Sequence, residues 1–171
     1  VYISTGANGS IITNNTIKTT AVTSYAIQID AAGDPTNNSI YNNVFNTTAK
    51  HVNIGAGVGV NNFSTTLVSG TNIVGGVTIG GNFYDNSTIG GLNAYSKTCT
   101  DTTPKDDICD TNLTHATNNV DFYPLAVPSV IAVTACGTLS TAAWSYQLTQ
   151  SISGTATCIT IGANNITLDC A

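Results

Sequence analysis

Short segments of alternating apolar and polar residues, separated by polar turns, recur along the chain. The segment ITNNTIKTT at Ile12–Thr20 returns 28 residues later as IYNNVFNTT at Ile40–Thr48. Each copy carries an Asn-Asn pair, and further pairs open Asn61–Thr66 and Asn164–Thr167. Alternation predicts short strands with one buried face. A recurring unit of about 20 to 28 residues predicts stacked turns of a β-solenoid.

The prediction has a simple physical basis. In a β-solenoid each turn, or rung, stacks its inward Ile, Val and Phe side chains on those of the next rung. Asn suits the sharp bends because it tolerates the left-handed conformation, and stacked Asn amides can hydrogen-bond from rung to rung. The glycines of Gly55–Gly59 and the pair Gly75-Gly76 predict further bends. The alternative is a β-sandwich with Asn-rich hairpins, which would not need a fixed repeat.

Three regions follow from the pattern. Residues 1–84 are predicted to be solenoid rungs. Residues 85–125 include six of the nine acidic residues and two cysteines, which predicts a long ordered loop that caps the solenoid. Alternation returns in residues 126–171, which we interpret as the first rungs of a following solenoid.

The composition of the chain argues against several fold and function classes. The chain has 171 residues and a net charge of −5, and it contains no Glu, Arg or Met, so strong helix formers are scarce. An acidic chain without Arg is a poor partner for nucleic acid. No apolar run reaches the roughly 18 residues of a membrane helix, so membrane insertion is not expected. Five cysteines indicate an oxidising compartment.

The cysteine spacing favours two disulfides. Cys99 and Cys109 are ten residues apart in the predicted loop, and Cys136 and Cys158 are separated by 22 residues, roughly one rung. Cys170 is then left over, which indicates a buried thiol or an intermolecular bridge. Pairing of Cys136 with Cys170 is the competing arrangement.

Several segments resemble a known family. Gly81–Asp85 (GNFYD) is similar to the GNYW segment that closes right-handed parallel β-helices of the NosD-like, periplasmic copper-binding-type repeat class, common in archaeal surface proteins. Asp106–Thr111 and Asp121–Leu125 resemble the DGIGDT and DYYPL segments that follow it in the family. Segments resembling the opening rungs of secreted β-helix domains are Cys136–Leu139, Tyr146–Thr149, Cys158–Ile161 and Ala163–Cys170. The resemblance implies an all-β, right-handed parallel β-helix, here the tail of one solenoid joined to the head of another.

The Asp-rich loop is the candidate ligand site. Asp106 and Asp110 match the two aspartates of the family segment, and Asp101 and Asp121 complete the predicted set. Clustered carboxylates in an irregular loop favour Ca²⁺. The alternative is a solvated acidic loop pinned by a disulfide, and Cys109 replaces a family Gly. Copper is implied by the family name only, since the chain has no Met and two distant His.

Eight Asn-x-Ser/Thr sequons occur, some of which chance alone would produce in a chain this rich in Asn and Thr. Four lie in loop-like contexts and are the predicted glycosylation sites: Asn37, Asn46, Asn86 and Asn112.

Enzymatic function is not expected. A polysaccharide lyase typically needs Lys or Arg as its base and substrate clamp, and this chain has no Arg and only scattered lysines. A hydrolase needs a pair of carboxylates, but Asp30 and Asp34 are better explained by an Asp-Pro turn. We expect a structural subunit of an extracellular, cell-surface filament that joins head to tail with itself. The predicted subunit contacts are Ile3, Ile166, Leu168 and Cys170. The alternatives are a carbohydrate-binding adhesin module for surface glycans and, less favoured, a polysaccharide-active enzyme.

Overall fold

A computed structural model describes residues 1–85, 94–102, 106–141, 145–164 and 166–170. The chain divides into two compact units, Val1–Val127 and Pro128–Ala171. Both units are built from short parallel strands, so the predicted all-β parallel β-helix is confirmed. Within the described ranges, no helix has both the length and the hydrophobicity needed to cross a bilayer.

Unit 1 stacks its strands in three parallel sheets. The first contains β1 (Tyr2–Ile3), β4 (Ile27–Ile29) and β7 (Val52–Ile54); the second contains β2 (Ile11–Thr13) and β5 (Ser39–Tyr41); the third contains β3 (Thr16–Thr19), β6 (Val44–Thr47) and β10 (Phe83–Asp85). Ile12 aligns with Ile40 and Ile17 with Phe45, which confirms the 28-residue repeat.

One rung of unit 1 is longer than the others. Val44 aligns with Phe83, 39 residues later, because an antiparallel hairpin of β8 (Val68–Ser69) and β9 (Thr78–Ile79) is inserted between them. Inward side chains of successive rungs form the main core of the unit. Its buried residues are Ile3, Ala26, Ile27, Ile29, Ile40, Phe45, Val52, Phe63 and Tyr84.

The end of unit 1 combines a short helix with a hairpin. Helix α1 (Tyr95–Thr98) precedes the Cys99–Cys109 disulfide, and an antiparallel hairpin of β11 (Leu113–Ala116) and β12 (Asn119–Asp121) follows it. The region predicted as a loop therefore contains regular structure. The hairpin returns Asn119 and Asp121 to the solenoid, where both side chains are fully buried.

Unit 2 is a smaller parallel stack. One sheet orders β13 (Val130–Val133), β15 (Ser145–Leu148) and β17 (Thr167–Asp169), and the other pairs β14 (Gly137–Leu139) with β16 (Ile159–Ile161). Its buried core consists of Val133, Leu139 and Tyr146. The second predicted disulfide, Cys136–Cys158, joins neighbouring rungs, and Cys170 is an exposed free thiol. The competing Cys136–Cys170 pairing is therefore absent.

Candidate functional site

In most of the Asn-Asn pairs that the structure describes, the two members have different roles. Asn61-Asn62 is the exception, because its first member directs its amide along the stack. Asn14 and Asn42 adopt left-handed backbone angles, with φ of 60° and 52°, so the first Asn makes the bend. The second, Asn15 or Asn43, directs its amide along the stack. Asn37-Asn38 and Asn118-Asn119 divide the roles in the same way. The repeat pattern in the sequence did not include these last two pairs, although the Asn-Asn dipeptide itself marks them.

One ladder of side-chain hydrogen bonds runs through four rungs. Asn15 Nδ2 donates to Asn43 Oδ1 (3.1 Å), and Asn43 Nδ2 donates to Asn82 Oδ1 (2.9 Å). The backbone N–H of each residue donates to the same oxygen of the next. A second ladder joins Asn38 Nδ2 to Asn61 Oδ1 (2.8 Å) and Asn61 Nδ2 to Asn119 Oδ1 (3.3 Å). These ladders satisfy the polar groups of the bends inside the solenoid.

Asp121 terminates the first ladder. Its Oδ2 accepts from Asn82 N (2.8 Å), Asn82 Nδ2 (3.3 Å) and Tyr84 Oη (2.9 Å), while Oδ1 accepts from Tyr123 N (3.1 Å). A carboxyl group has no amide NH2 to donate to a further rung, so the ladder ends here. Burial raises the pKa of Asp121 from 3.8 to about 7, against the lowering effect of these donors.

The two segments that resemble the β-helix family meet at this point. Gly81 N donates to Tyr123 O (2.7 Å) and Leu125 N donates to Asn82 O (2.9 Å), so GNFYD and DFYPL lie against each other. A Cβ on Gly81 would lie 1.8 Å from Asp121 Oδ1, which explains the glycine.

A hydrogen-bonded chain leads from Asp121 to two histidines. Tyr84 Oη lies 2.9 Å from Asp121 Oδ2 and 2.9 Å from His115 Nε2. With Tyr84 donating to Asp121, His115 donates to Tyr84 through Nε2–H. His51 Nε2 bonds the Asp85 carbonyl oxygen at 2.8 Å, and its ring packs edge-on against Tyr84. No pattern in the sequence indicates that the two histidines contact the same tyrosine.

Both histidines line a cavity of about 180 Å³. Its other lining residues are Lys50, Val52, Tyr84, Leu113 and Thr114. Burial lowers the pKa of His115 from 6.5 to about 3, with the charges of Lys50 and His51 adding to the effect. Burial also lowers the pKa of His51. Both rings are therefore neutral near pH 7.

The structure separates the predicted metal ligands. Asp101 accepts from the backbone N–H of Asp106 and Asp107, and Asp110 accepts from Thr102, all within the disulfide-pinned loop. Asp121 lies apart from them at the ladder terminus. Among the described residues, no group of three or more His, Cys, Asp or Glu side chains could hold a metal ion. Burial raises the pKa values of Asp101 and Asp106.

The remaining predicted residues have varied surroundings. The sequon residues Asn37 and Asn112 are exposed, Asn46 is half-buried, and Asn86 lies outside the described residues. Asp30 accepts from Tyr2 Oη and Asp34 Oδ1 from Gly59 N, so each carboxylate serves a separate local contact.

The predicted subunit contacts are mostly internal. Ile3 is buried in the core of unit 1, and Ile166 and Leu168 pack on the core of unit 2. Cys170 is exposed. Tyr2 and Ile11, on the first rung, have exposed fractions of 57% and 67%.

Residues 1–89 match the family model described as periplasmic copper-binding protein (NosD). No curated protein and no solved structure matches the chain.

Copper is the metal that this family description implies. The chain has no Met, four of its cysteines are in disulfides, and both histidines use Nε2 within the protein. The described residues therefore do not fit a copper site of three or more soft or imidazole ligands.

Proposed function

Because the chain belongs to the family of NosD, the periplasmic copper-binding protein, we propose that it is an exported structural β-solenoid. Its work is to extend a stiff surface fibre by head-to-tail stacking of rungs. The two disulfides support export to an oxidising compartment.

The main support for this proposal is that the first asparagine ladder has one closed end and one open end. Asp121 closes one end, whereas at the other end Asn15 Oδ1 accepts from no described residue. In both inner links, at Asn43 and Asn82, the amide oxygen accepts a backbone N–H and a side-chain amide N–H from the preceding rung. A further rung placed against β1, β2 and β3 would continue the same pattern. Such a rung belongs to a second copy or, where these residues are one repeat of a longer protein, to the adjoining repeat.

The strand edges favour the same contact. β1, β2 and β3 are each the outer strand of their sheet, and edge strands invite pairing with another chain. In unit 2, β16 and β17 are outer strands as well. We propose that they pair with β1, β2 and β3 of the next copy. A contact between two different surfaces does not close on itself, so it generates a fibre.

The test uses the full 171-residue chain in sedimentation velocity over a concentration series, with negative-stain electron microscopy. The wild type is expected to form rods that lengthen with concentration, and Ile11→Lys should reduce them to monomers. Val22→Lys is the matched control, since Val22 is 74% exposed but lies outside the strands. A monomeric wild type at high concentration, or fibres of unchanged length with Ile11→Lys, would overturn the proposal.

A carbohydrate-binding module is the second candidate, favoured by the neighbouring exposed rings of Phe122 and Tyr123. On a glycan array this function requires specific binding that Phe122→Ala removes, whereas a purely structural unit binds nothing.

Calcium binding by the Asp-rich loop stays a proposal. Because no three acidic side chains of the described residues could hold a metal ion together, backbone carbonyl oxygens and water would have to complete the ligands supplied by Asp101 and Asp106. Burial first, and neighbouring carboxylates to a smaller extent, raise the pKa values of Asp101 and Asp106, and a bound cation would offset both effects. A lower unfolding temperature in EGTA would support it, and an unchanged one would contradict it.

A further inference from the structure

The cavity between β7 and β11 has the chemistry of a binding site. β7 is the outer strand of its sheet, and β11 pairs with β12 alone among the described strands. The gap between them is lined by Lys50, His51 and Val52 on one side and by Leu113, Thr114 and His115 on the other. Tyr84 also lines it.

Basic groups are concentrated there. The chain has four lysines and two histidines, and Lys50, His51 and His115 all line this one cavity. None of the described lining residues carries a carboxylate, and Lys50 forms no ion pair with a described residue. Because burial keeps both imidazoles neutral near pH 7, Lys50 supplies the positive charge, which favours an anionic ligand in a chain with a net charge of −5.

The rings are also held in place before any ligand binds. Tyr84 contacts both imidazoles, with ring centroids 5.6 Å from His51 and 5.3 Å from His115. Each histidine has one ring nitrogen fixed by a hydrogen bond within the protein. A site whose groups are already ordered loses less entropy on binding.

The volume of the cavity and its apolar walls limit which ligands can bind. Val52, Leu113 and the Tyr84 ring supply apolar surface, and the volume of about 180 Å³ suits a compact ligand with few atoms. We propose that this cavity binds a small organic carboxylate with a flat apolar body, the carboxylate at Lys50 and the body between Val52, Leu113 and Tyr84. This binding is independent of rung stacking.

Sodium benzoate is the probe, titrated into the full chain near neutral pH while the imidazole signals of His51 and His115 are followed by NMR. Benzamide, of the same shape but uncharged, and sodium chloride at equal ionic strength are the ligand controls. Saturable shifts of both histidines by benzoate alone are expected. Lys50→Gln should weaken binding about tenfold or more, because it removes a charge-assisted contact.

Lys18→Gln is the matched control, since Lys18 is exposed on β3 and does not line the cavity. It should change affinity by less than about twofold. Shifts that do not saturate, equal shifts with benzamide, or equal effects of Lys50→Gln and Lys18→Gln would each overturn the proposal. Lys50 is exposed, so its replacement tests binding without disturbing the buried rings.

Discussion

Asn82 donates two hydrogen bonds to a single carboxylate oxygen of Asp121, one from its backbone N–H (2.8 Å) and one from its side-chain amide (3.3 Å). The same double donation links Asn15 to Asn43 and Asn43 to Asn82. Asp121 therefore occupies the position of a fourth asparagine but lacks the amide donor. This exchange of Asn for Asp gives the ladder a direction and a defined end.

The pH dependence of wild-type stability between about pH 4 and 6.5 should be reduced by partial cancellation, because buried groups act in opposite directions. The pKa of Asp121 rises from 3.8 to about 7 on folding, so its stabilising contribution is complete below pH 3.8 and is lost as pH rises towards 7. The pKa of His115 falls from 6.5 to about 3, so its contribution is complete above pH 6.5 and is lost as pH falls. His51 acts in the same direction as His115.

Replacing Asp121 or His115 should expose the pH dependence that the remaining buried groups cause. In urea unfolding, Asp121→Asn should make the free energy of unfolding rise with pH across this window, by up to about 1.4 kcal/mol per pH unit for each buried histidine. His115→Gln should change the slope in the opposite direction, towards a free energy of unfolding that falls with pH. Asp30→Asn is the control, because the hydrogen bond from Tyr2 lowers the pKa of this carboxyl and its effect lies below the window. Parallel pH profiles for all variants would contradict the assignment.

The sequence predicts the rungs better than the site. The 28-residue repeat and the alternation of Ile12 to Ile17 depend on local spacing, and both the parallel register and the turn-forming asparagines follow from them. The shared contacts of His51, Tyr84 and His115 depend on a hairpin that returns the chain across 31 residues. Asp121 resembled a loop acid because its burial is decided by that return and not by its neighbours in sequence.

Gly81 should not tolerate a side chain. A Cβ at this position would lie 1.8 Å from Asp121 Oδ1 and 2.4 Å from its Cγ, so the ladder terminus would have to move. Gly81→Ala is expected to lower the free energy of unfolding by about 1 to 3 kcal/mol or more. Gly137→Ala is the control, because nothing lies within 4 Å of its added Cβ. Equal stability of the two variants in urea unfolding would show that the terminus is not tightly packed.

Glycosylation should occur at sequons whose asparagine side-chain amide is exposed. Asn37 and Asn112 are exposed, whereas Asn46 is half-buried and its Nδ2 donates to Asp85 Oδ2 at 3.3 Å. Because the glycan attaches at Nδ2, peptide mapping of protein from its native source should find glycans on Asn37 and Asn112 and none on Asn46. Occupancy of Asn46 above that of Asn37 would contradict this order.

Replacing an inner ladder asparagine by aspartate should be far more damaging than the same change at the bend. Asn43 is fully buried, and its Nδ2 donates to Ile12 O, Tyr41 O and Asn82 Oδ1. Asn43→Asp would set a buried carboxylate against these three oxygens, so we expect a loss of about 3 to 5 kcal/mol in urea unfolding.

Asn14→Asp is the matched control from the first member of a pair. Asn14 is exposed at φ 60°, a conformation that Asp also tolerates, and its Oδ1 only accepts, from Asn42 Nδ2 at 2.6 Å. A carboxylate can accept the same bond, so the change should cost less than about 0.5 kcal/mol. Similar losses for the two variants would mean that the inner amides do not act as donors, and the direction assigned to the ladder would then be wrong.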